Sequence, residues 1–296
     1  MQHSLLTPQF MKLTAAQFFY WVCLNIFMPV IPLHYHSMGM NDFKIGFIVG
    51  TISIFGMMCR VMAGKSVNRF GAVPVIALGL ALSLFGASGH FFAQSWEAAL
   101  VSAAFQGVGL ACYASAALAL TSFMFEEKYI VDVFAIFTMA GIFGSSLGLG
   151  LATWIYGLGG IQYIVGISLT AVTVSIILFP KHPVTVVKPK KSDAPALKSI
   201  AVNPKIYIPT FSIFITNLSF SGTMTFLPLF MLSRGITDFN IFFVSYGVSV
   251  IFFRIMIVRF CHTFELRNIE TVSVAAAGSA MLAIALAETW LLLILG

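Results

Sequence analysis

The sequence predicts an all-α membrane protein of about nine or ten hydrophobic helices. Three observations carry that prediction: the composition, the length of the apolar runs and the placement of the basic residues. Apolar residues make up 59% of the chain and charged residues only 9%. A soluble domain carries about 25% charged residues. With so few charges the chain cannot cover a water-facing surface, so lipid must be part of its solvent. The 30 Phe agree, because bulky apolar side chains face acyl tails without penalty.

A bilayer core about 30 Å thick needs about 20 apolar residues as a helix. Such runs lie at 11–33, 44–64, 73–92, 97–122, 132–157 and 161–180. Three more follow at 205–232, 239–259 and 269–287, and a tenth begins near Trp290. Backbone polar groups in lipid must be satisfied within the segment, which requires helices here. A β-barrel would show short strands of alternating polarity, and these runs are continuous. The first run is long enough to span and lacks a clear small-residue cleavage site, so no removable signal peptide is expected. Asp42 and Asp238 stand at helix starts, where a carboxylate suits the N-terminal dipole and a cap, and Asp132 begins the fifth run. His90 closes the third run. Cys23, Cys59, Cys112 and Cys261 are widely separated, without metal-ligand or disulfide spacing.

Residues 181–204, KHPVTVVKPKKSDAPALKSIAVNP, contain four Pro and five Lys and no apolar period. They read as a solvated cytoplasmic linker. It divides a six-helix N-terminal bundle, 1–180, from an incomplete C-terminal bundle, 205–296. With the N-terminus placed inside, the loops alternate. Of the 16 Lys and Arg, only Lys44 and Arg234 then fall outside. That asymmetry is a strong positive-inside signal. It predicts a multi-pass protein of the cell membrane with a cytoplasmic N-terminus. It also explains the net charge of +6 without nucleic acid.

The two sides of the linker resemble each other. Pro32-Leu33, Gly39, Asp42-Phe43 and Ile45 recur as Pro228-Leu229, Gly235, Asp238-Phe239 and Ile241, at a constant offset of 196. Arg60 and Arg254, and Trp96 and Trp290, match at 194. Parallel repeats of this kind build secondary transporters, whose two bundles rock about a central site. By the same arithmetic Gly296 corresponds to about Ser102. The second half is then expected to lack most of its fourth helix and all of its fifth and sixth, roughly 80 residues.

Local motifs add a family resemblance. Arg60 to Gly71 reads RVMAGKSVNRFG. It resembles the G-x-L-A-D-R-x-G-R-R signature of the major facilitator superfamily through Gly64, Arg69 and Gly71. Asn68 replaces the usual Asp, and Ala72 and Val73 replace the basic pair. Gln106-Gly107-x-Gly109 resembles R-x-x-Q-G, with Ala103 where the Arg would be. Gly144-Ser145-Ser146-Leu147-Gly148 resembles the G-P-x-x-G of export-type members, with Ser145 for Pro. Thr225–Leu229 (TFLPL) and the Phe-rich eighth run suggest exporters of drugs or small metallophores. The resemblance covers essentially the whole chain. It implies a twelve-helix fold, C-terminally truncated here. It also implies a gate network at Arg60, Asn68 and Arg69, steadied in the family by a helix eleven that is expected to be missing here.

Ionisable groups inside a membrane are costly and often functional. No Asp or Glu falls at the middle of the nine runs. The titratable candidates all lie at helix edges: His34, His36, Asp42, His90, Asp132 and Asp238. Of these, His34 and Asp132 are taken as the proton-coupling candidates. His34-Tyr35-His36 offers no third ligand, and metal binding is not expected. For the cavity, the family's helices one, four and seven carry Asn25, Gln106, Tyr113 and Asn217. Ordinary packing or capping is the competing reading for each of these, as it is for the glycines.

The expected function is secondary active transport of a small molecule, export by resemblance, with protons as the implied coupling ion. No cofactor is implied. G-x-x-x-x-G-K-[ST], H-E-x-x-H and G-x-S-x-G are all absent, which argues against ATP use and against an enzyme. Two alternatives stay open: a non-transporting fragment or decayed copy of such a transporter, and an uptake permease.

Overall fold

Proline and glycine decide where the helices of this chain start, break and turn. In the computed structural model, residues 7–179, 204–236, 240–260 and 266–286 are described. α1 (Pro8–Asn25) starts with Pro at its first position, and the Thr7 hydroxyl accepts from the Phe10 amide at 3.3 Å. That is where a missing N–H costs nothing. Pro29 then interrupts the first apolar run, because it has no N–H for the Asn25 carbonyl and its ring crowds that oxygen. The chain resumes as α2 (Val30–Ser37), and together they form one apolar stretch, Pro8–Ser37.

α3 (Asp42–Phe70) is capped by Asn41, whose side chain accepts from the Lys44 amide at 3.0 Å. The cap therefore lies one residue before Asp42, which occupies the first turn. α4 (Ala72–Phe92) follows Gly71 directly, and α5 (Trp96–Phe123) is capped by Ser95. A single 3-10 turn, Glu127–Tyr129, leads into α6 (Ile130–Leu178).

α6 holds 49 residues. Straight, it would run roughly 74 Å at 1.5 Å per residue, more than twice the bilayer core. It breaks instead at Gly159 and Gly160, where Gly160 has φ 66° and ψ −156°. Only glycine adopts that region readily. Its two arms account for the fifth and sixth apolar runs.

The second half contributes α7 (Pro204–Ser233), α8 (Asn240–Phe260) and α9 (Leu266–Ala285). Six helical stretches among the described residues are long and apolar enough to cross a bilayer, with shorter apolar helices at Asn240–Phe253 and Thr271–Ala285. The fold is all-α and consistent with the predicted membrane architecture. The linker, apart from Pro204, lies outside the described residues, as do Asp238, Phe239 and Trp290.

The chain divides into two compact units, Met1–Lys188 and Pro189–Gly296. In the first, α1 packs along α6, and α5 packs between α3 and α4. Phe10, Leu13, Tyr20, Tyr113 and Phe137 are fully buried in its core. Outward faces stay apolar. Phe85, Met57 and Met58 are each about two-thirds exposed, as expected where lipid is the solvent.

The sequence repeat has a structural counterpart. After α2, the Met40 amide donates to the Tyr35 carbonyl at 3.1 Å and Gly39 has φ 81°. After α7, the Ile236 amide donates to the Met231 carbonyl at 3.0 Å and Gly235 has φ 74°. Both are Schellman turns with a left-handed glycine, and every position is offset by 196.

Candidate functional site

The Arg60–Gly71 motif occupies the last third of α3 and its exit. Gly71, with φ 90°, ends α3 by donating its amide to the Val67 carbonyl at 2.9 Å, and α4 begins at once. Arg60, Asn68 and Arg69 are exposed, and the Arg69 guanidinium lies over the Phe70 ring at 5.1 Å. A Cβ built on Gly64 would meet nothing within 4 Å among the described residues. The motif thus presents an open face and makes a tight turn.

Lys128 and Glu126 form an ion pair at 3.0 Å in the turn before α6. The Glu126 side chain holds the Lys128 ammonium above its usual range, with help from Tyr129. A raised ammonium loses this partner only above its folded-state value, in strongly alkaline solution. The pair therefore gives no pH response near neutrality. Both side chains are exposed, so the pair contributes little stability.

The glycines of the other two motifs are contact points. A Cβ on Gly107 would strike the Ile52 carbonyl of α3 and stand 3.1 Å from the Gly56 amide nitrogen. On Gly144 it would strike the Phe18 carbonyl of α1, and on Gly148 it would lie 2.9 Å from the Val22 carbonyl oxygen. Small residues let helix backbones approach closely in lipid, where apolar burial supplies no force. These positions hold α5 on α3 and the first arm of α6 on α1.

Three cavity candidates fall in the first unit. Asn25, half-buried at the end of α1, donates through Nδ2 to the Trp21 carbonyl at 3.0 Å and the Ser145 hydroxyl at 3.1 Å. Tyr113 is fully buried and stacked on Tyr20 at 3.6 Å, and Tyr20 shares a 3.0 Å hydrogen bond with Ser83. Gln106 is buried, with Oε1 3.3 Å from Nε2 of His90. Asn25 thus joins the α1–α6 seam, while Gln106 and Tyr113 lie at the α4–α5 seam. Asn217 belongs to the second unit, on an exposed part of α7.

Of the proton candidates, Asp132 is exposed in the first turn of α6. His34 is half-buried on α2, with Nδ1 3.5 Å from the Tyr156 hydroxyl. His90, one of the titratable candidates at helix edges, proves to be fully buried and bonded on both sides. Tyr35 as its partner had no signal in the sequence. The two lie 55 positions apart in the chain, with α3 and most of α4 between them, and only packing joins them. No group of three or more His, Cys, Asp or Glu side chains that could hold a metal occurs among the described residues.

The second unit holds a cavity of about 400 Å³ between α7, α8 and α9. Thr216, Ser219 and Thr223 of α7 and Ser245, Tyr246 and Ser249 of α8 bring hydroxyls to it, beside Phe220 and Phe242. On α9 it is lined by Ala277, Ala280 and Ile284. By the 194 offset these stand where Ser83, Gly86 and His90 stand on α4. In the first unit that face is covered by α5: a Cβ on Gly86 would lie 2.7 Å from the Gln106 amide nitrogen. The cavity is therefore the counterpart of the α5 seat, with a polar hydroxyl rim.

The chain matches the model of the Major Facilitator Superfamily over residues 13–296. It is also similar to a staphylopine export protein of Staphylococcus aureus (strain Mu50 / ATCC 700699), with 24% identity over 242 residues, 77% of this chain. That alignment covers 59% of the relative, so the chain spans about three fifths of its length.

Proposed function

We propose a transport function from one premise: the chain belongs to the Major Facilitator Superfamily. The function is secondary active export of a small molecule by alternating access, coupled to protons. The observation that carries this reading is the pair of equivalent Schellman turns at Gly39 and Gly235, inside a family match that spans both halves. Parallel repeats of this kind are the moving parts of alternating access.

The first unit suits a body that moves as a whole. Its seams are backbone-to-backbone contacts at Gly107, Gly144 and Gly148, which leave no slack for internal sliding. The change of access then falls between units. The open face at Gly64, with Arg60, Asn68 and Arg69 beside it, is the proposed gate surface. Asn68 can accept hydrogen bonds there but brings no charge.

Asn25 in the first unit and Asn217 in the second remain proposed cargo contacts, whereas Gln106 and Tyr113, expected beside them, are buried in the α4–α5 seam and serve packing there. The two amides carry no fixed charge, which suits a small amphipathic molecule. Export is favoured by the name of the relative. The proposed setting is the cell membrane, with the N-terminus and linker in the cytoplasm. His34 and Asp132 are the proposed coupling groups.

Inverted vesicles carrying this chain test the proposal. Adding staphylopine, or an amphipathic drug as second probe, should discharge an imposed proton gradient, read by a pH-sensitive dye. Cargo accumulation without any dependence on the gradient would remove proton coupling. No accumulation of either probe, with the protein folded in the membrane, would count against export.

A further inference from the structure

One end of the first unit gathers the α2–α3 turn, the α4–α5 turn and the break in α6. Phe47 meets Trp96 there, and His34 meets Tyr156. This end hides His90, in the last turn of α4 and fully buried. The Tyr35 hydroxyl of α2 lies 2.8 Å from its Nδ1, and Gln106 Oε1 of α5 lies 3.3 Å from its Nε2. The Phe27 ring adds an apolar wall at 5.4 Å. α2 packs mainly against α3 and α6, so the imidazole ties it to the α4–α5 pair.

The hydrogen bonds fix the proton inventory. An amide oxygen only accepts, so Nε2 of the neutral ring donates to Gln106. Nδ1 then accepts from the Tyr35 hydroxyl. A second proton on the ring turns Nδ1 into a donor and forces the Tyr35 hydroxyl to reverse. The hydroxyl proton then loses its acceptor in a buried place, at a cost.

The new charge also lacks a buried partner among the described residues. On α2 the neighbours are His34 and His36, at the start of α3 Asp42 and Lys44, on α5 Glu97, and on α6 Tyr156. His36, Asp42, Lys44 and Glu97 are exposed at the surface. His34 is half-buried, and an imidazole is no anion. Burying an unpaired cation is expensive. A proton therefore binds better to an arrangement in which water reaches His90 than to this packed one. A ligand with such a difference in affinity shifts the population.

We propose that His90 is a proton-operated latch: its neutral ring clamps α2 to α4 and α5, and proton binding releases this end of the unit to water. Its use as a coupling step rests on the transport reading, while the latch itself does not.

Hydrogen exchange of the chain in lipid nanodiscs tests it, followed by mass spectrometry at acid and neutral pH and corrected for the intrinsic pH dependence of exchange. Peptides over Val30–Ser37 and Gly86–Phe92 should exchange several-fold faster in acid. His90→Gln should abolish that response, and His34→Gln should keep it. Tyr35→Phe retains the titrating ring but removes one clamp, so it should exchange faster at neutral pH and still respond to acid. No acid response in the wild type, or an unchanged response in His90→Gln, overturns the latch. Transfer of the response to His34, seen as its loss in His34→Gln, also overturns it. Should His90→Gln fail to fold, the other two variants still decide. An intact acid response in a chain that moves no cargo would keep the latch and refute transport.

Discussion

At Gly148 a Cβ would stand 2.9 Å from the Val22 carbonyl oxygen, whereas at Gly64 it would meet no described atom within 4 Å. The two positions should therefore answer substitution in opposite ways. Gly148→Ala forces α1 and α6 apart and should cost about 1–3 kcal/mol, the range for overpacking, read as a lower unfolding temperature in detergent. Gly64→Ala should leave stability unchanged or slightly improved, since Gly inside a helix costs roughly 0.5–1 kcal/mol relative to Ala. A transport defect in Gly64→Ala without a thermal shift would then mark the gate surface; unchanged transport would remove Gly64 from it. The Asn25–Ser145 bond is a milder case. Ser145→Ala leaves Nδ2 of Asn25 with the Trp21 carbonyl. A loss of about 0.6 kcal/mol is expected, the mean for interhelical hydrogen bonds in membranes.

Among the elements, α6 depends most on single residues. Its turn at Gly160 needs a backbone conformation that carries about 1–3 kcal/mol of strain for a residue with a side chain. Gly160→Ala should lower the unfolding temperature, while Gly157→Ala, three residues earlier with open space around it, should not. Equal effects at both positions would show that the break does not depend on this φ. The start of α3 offers a second check. Asn41→Ala removes the side-chain acceptor for the Lys44 amide and should cost about 1 kcal/mol. The same change at Asp42 should cost less, because Asp42 contributes only through the dipole of the first turn.

On the scale of the molecule, the parallel repeat and the charge asymmetry make one joint prediction. Reporter fusions within residues 185–200 should be active only in forms that work in the cytoplasm. An extracytoplasmic signal there would invert the proposed topology and place the His90 end of the first unit inside. The exposed apolar faces of α3 and α4 belong to the same scale. They are a liability in water and ordinary in lipid, so the chain should precipitate when detergent is withdrawn and remain dispersed in nanodiscs.

Much of this fold was legible in the sequence because the bilayer reduces the problem to one dimension. Runs of apolar residues long enough to span, a basic linker and a recurring Pro-Leu…Gly…Asp-Phe pattern are local signals. The apolar runs map onto helices and the Pro-Leu…Gly pattern onto a Schellman turn, without knowledge of neighbours. The glycines of the motifs were legible as residues, but not their partners: packing gave Gly144 the Phe18 carbonyl and Gly107 the Ile52 carbonyl. Asp42 yielded its expected capping role to Asn41, since a shift of one residue at a helix start leaves little trace in the pattern. His90 shows the limit most clearly. Sequence marks it as one polar residue at the end of an apolar run, which usually means an interface with water. Tertiary structure alone buries it between Tyr35 and Gln106, because hydrogen-bond geometry depends on how three helices lie against one another and not on the order of residues within any of them.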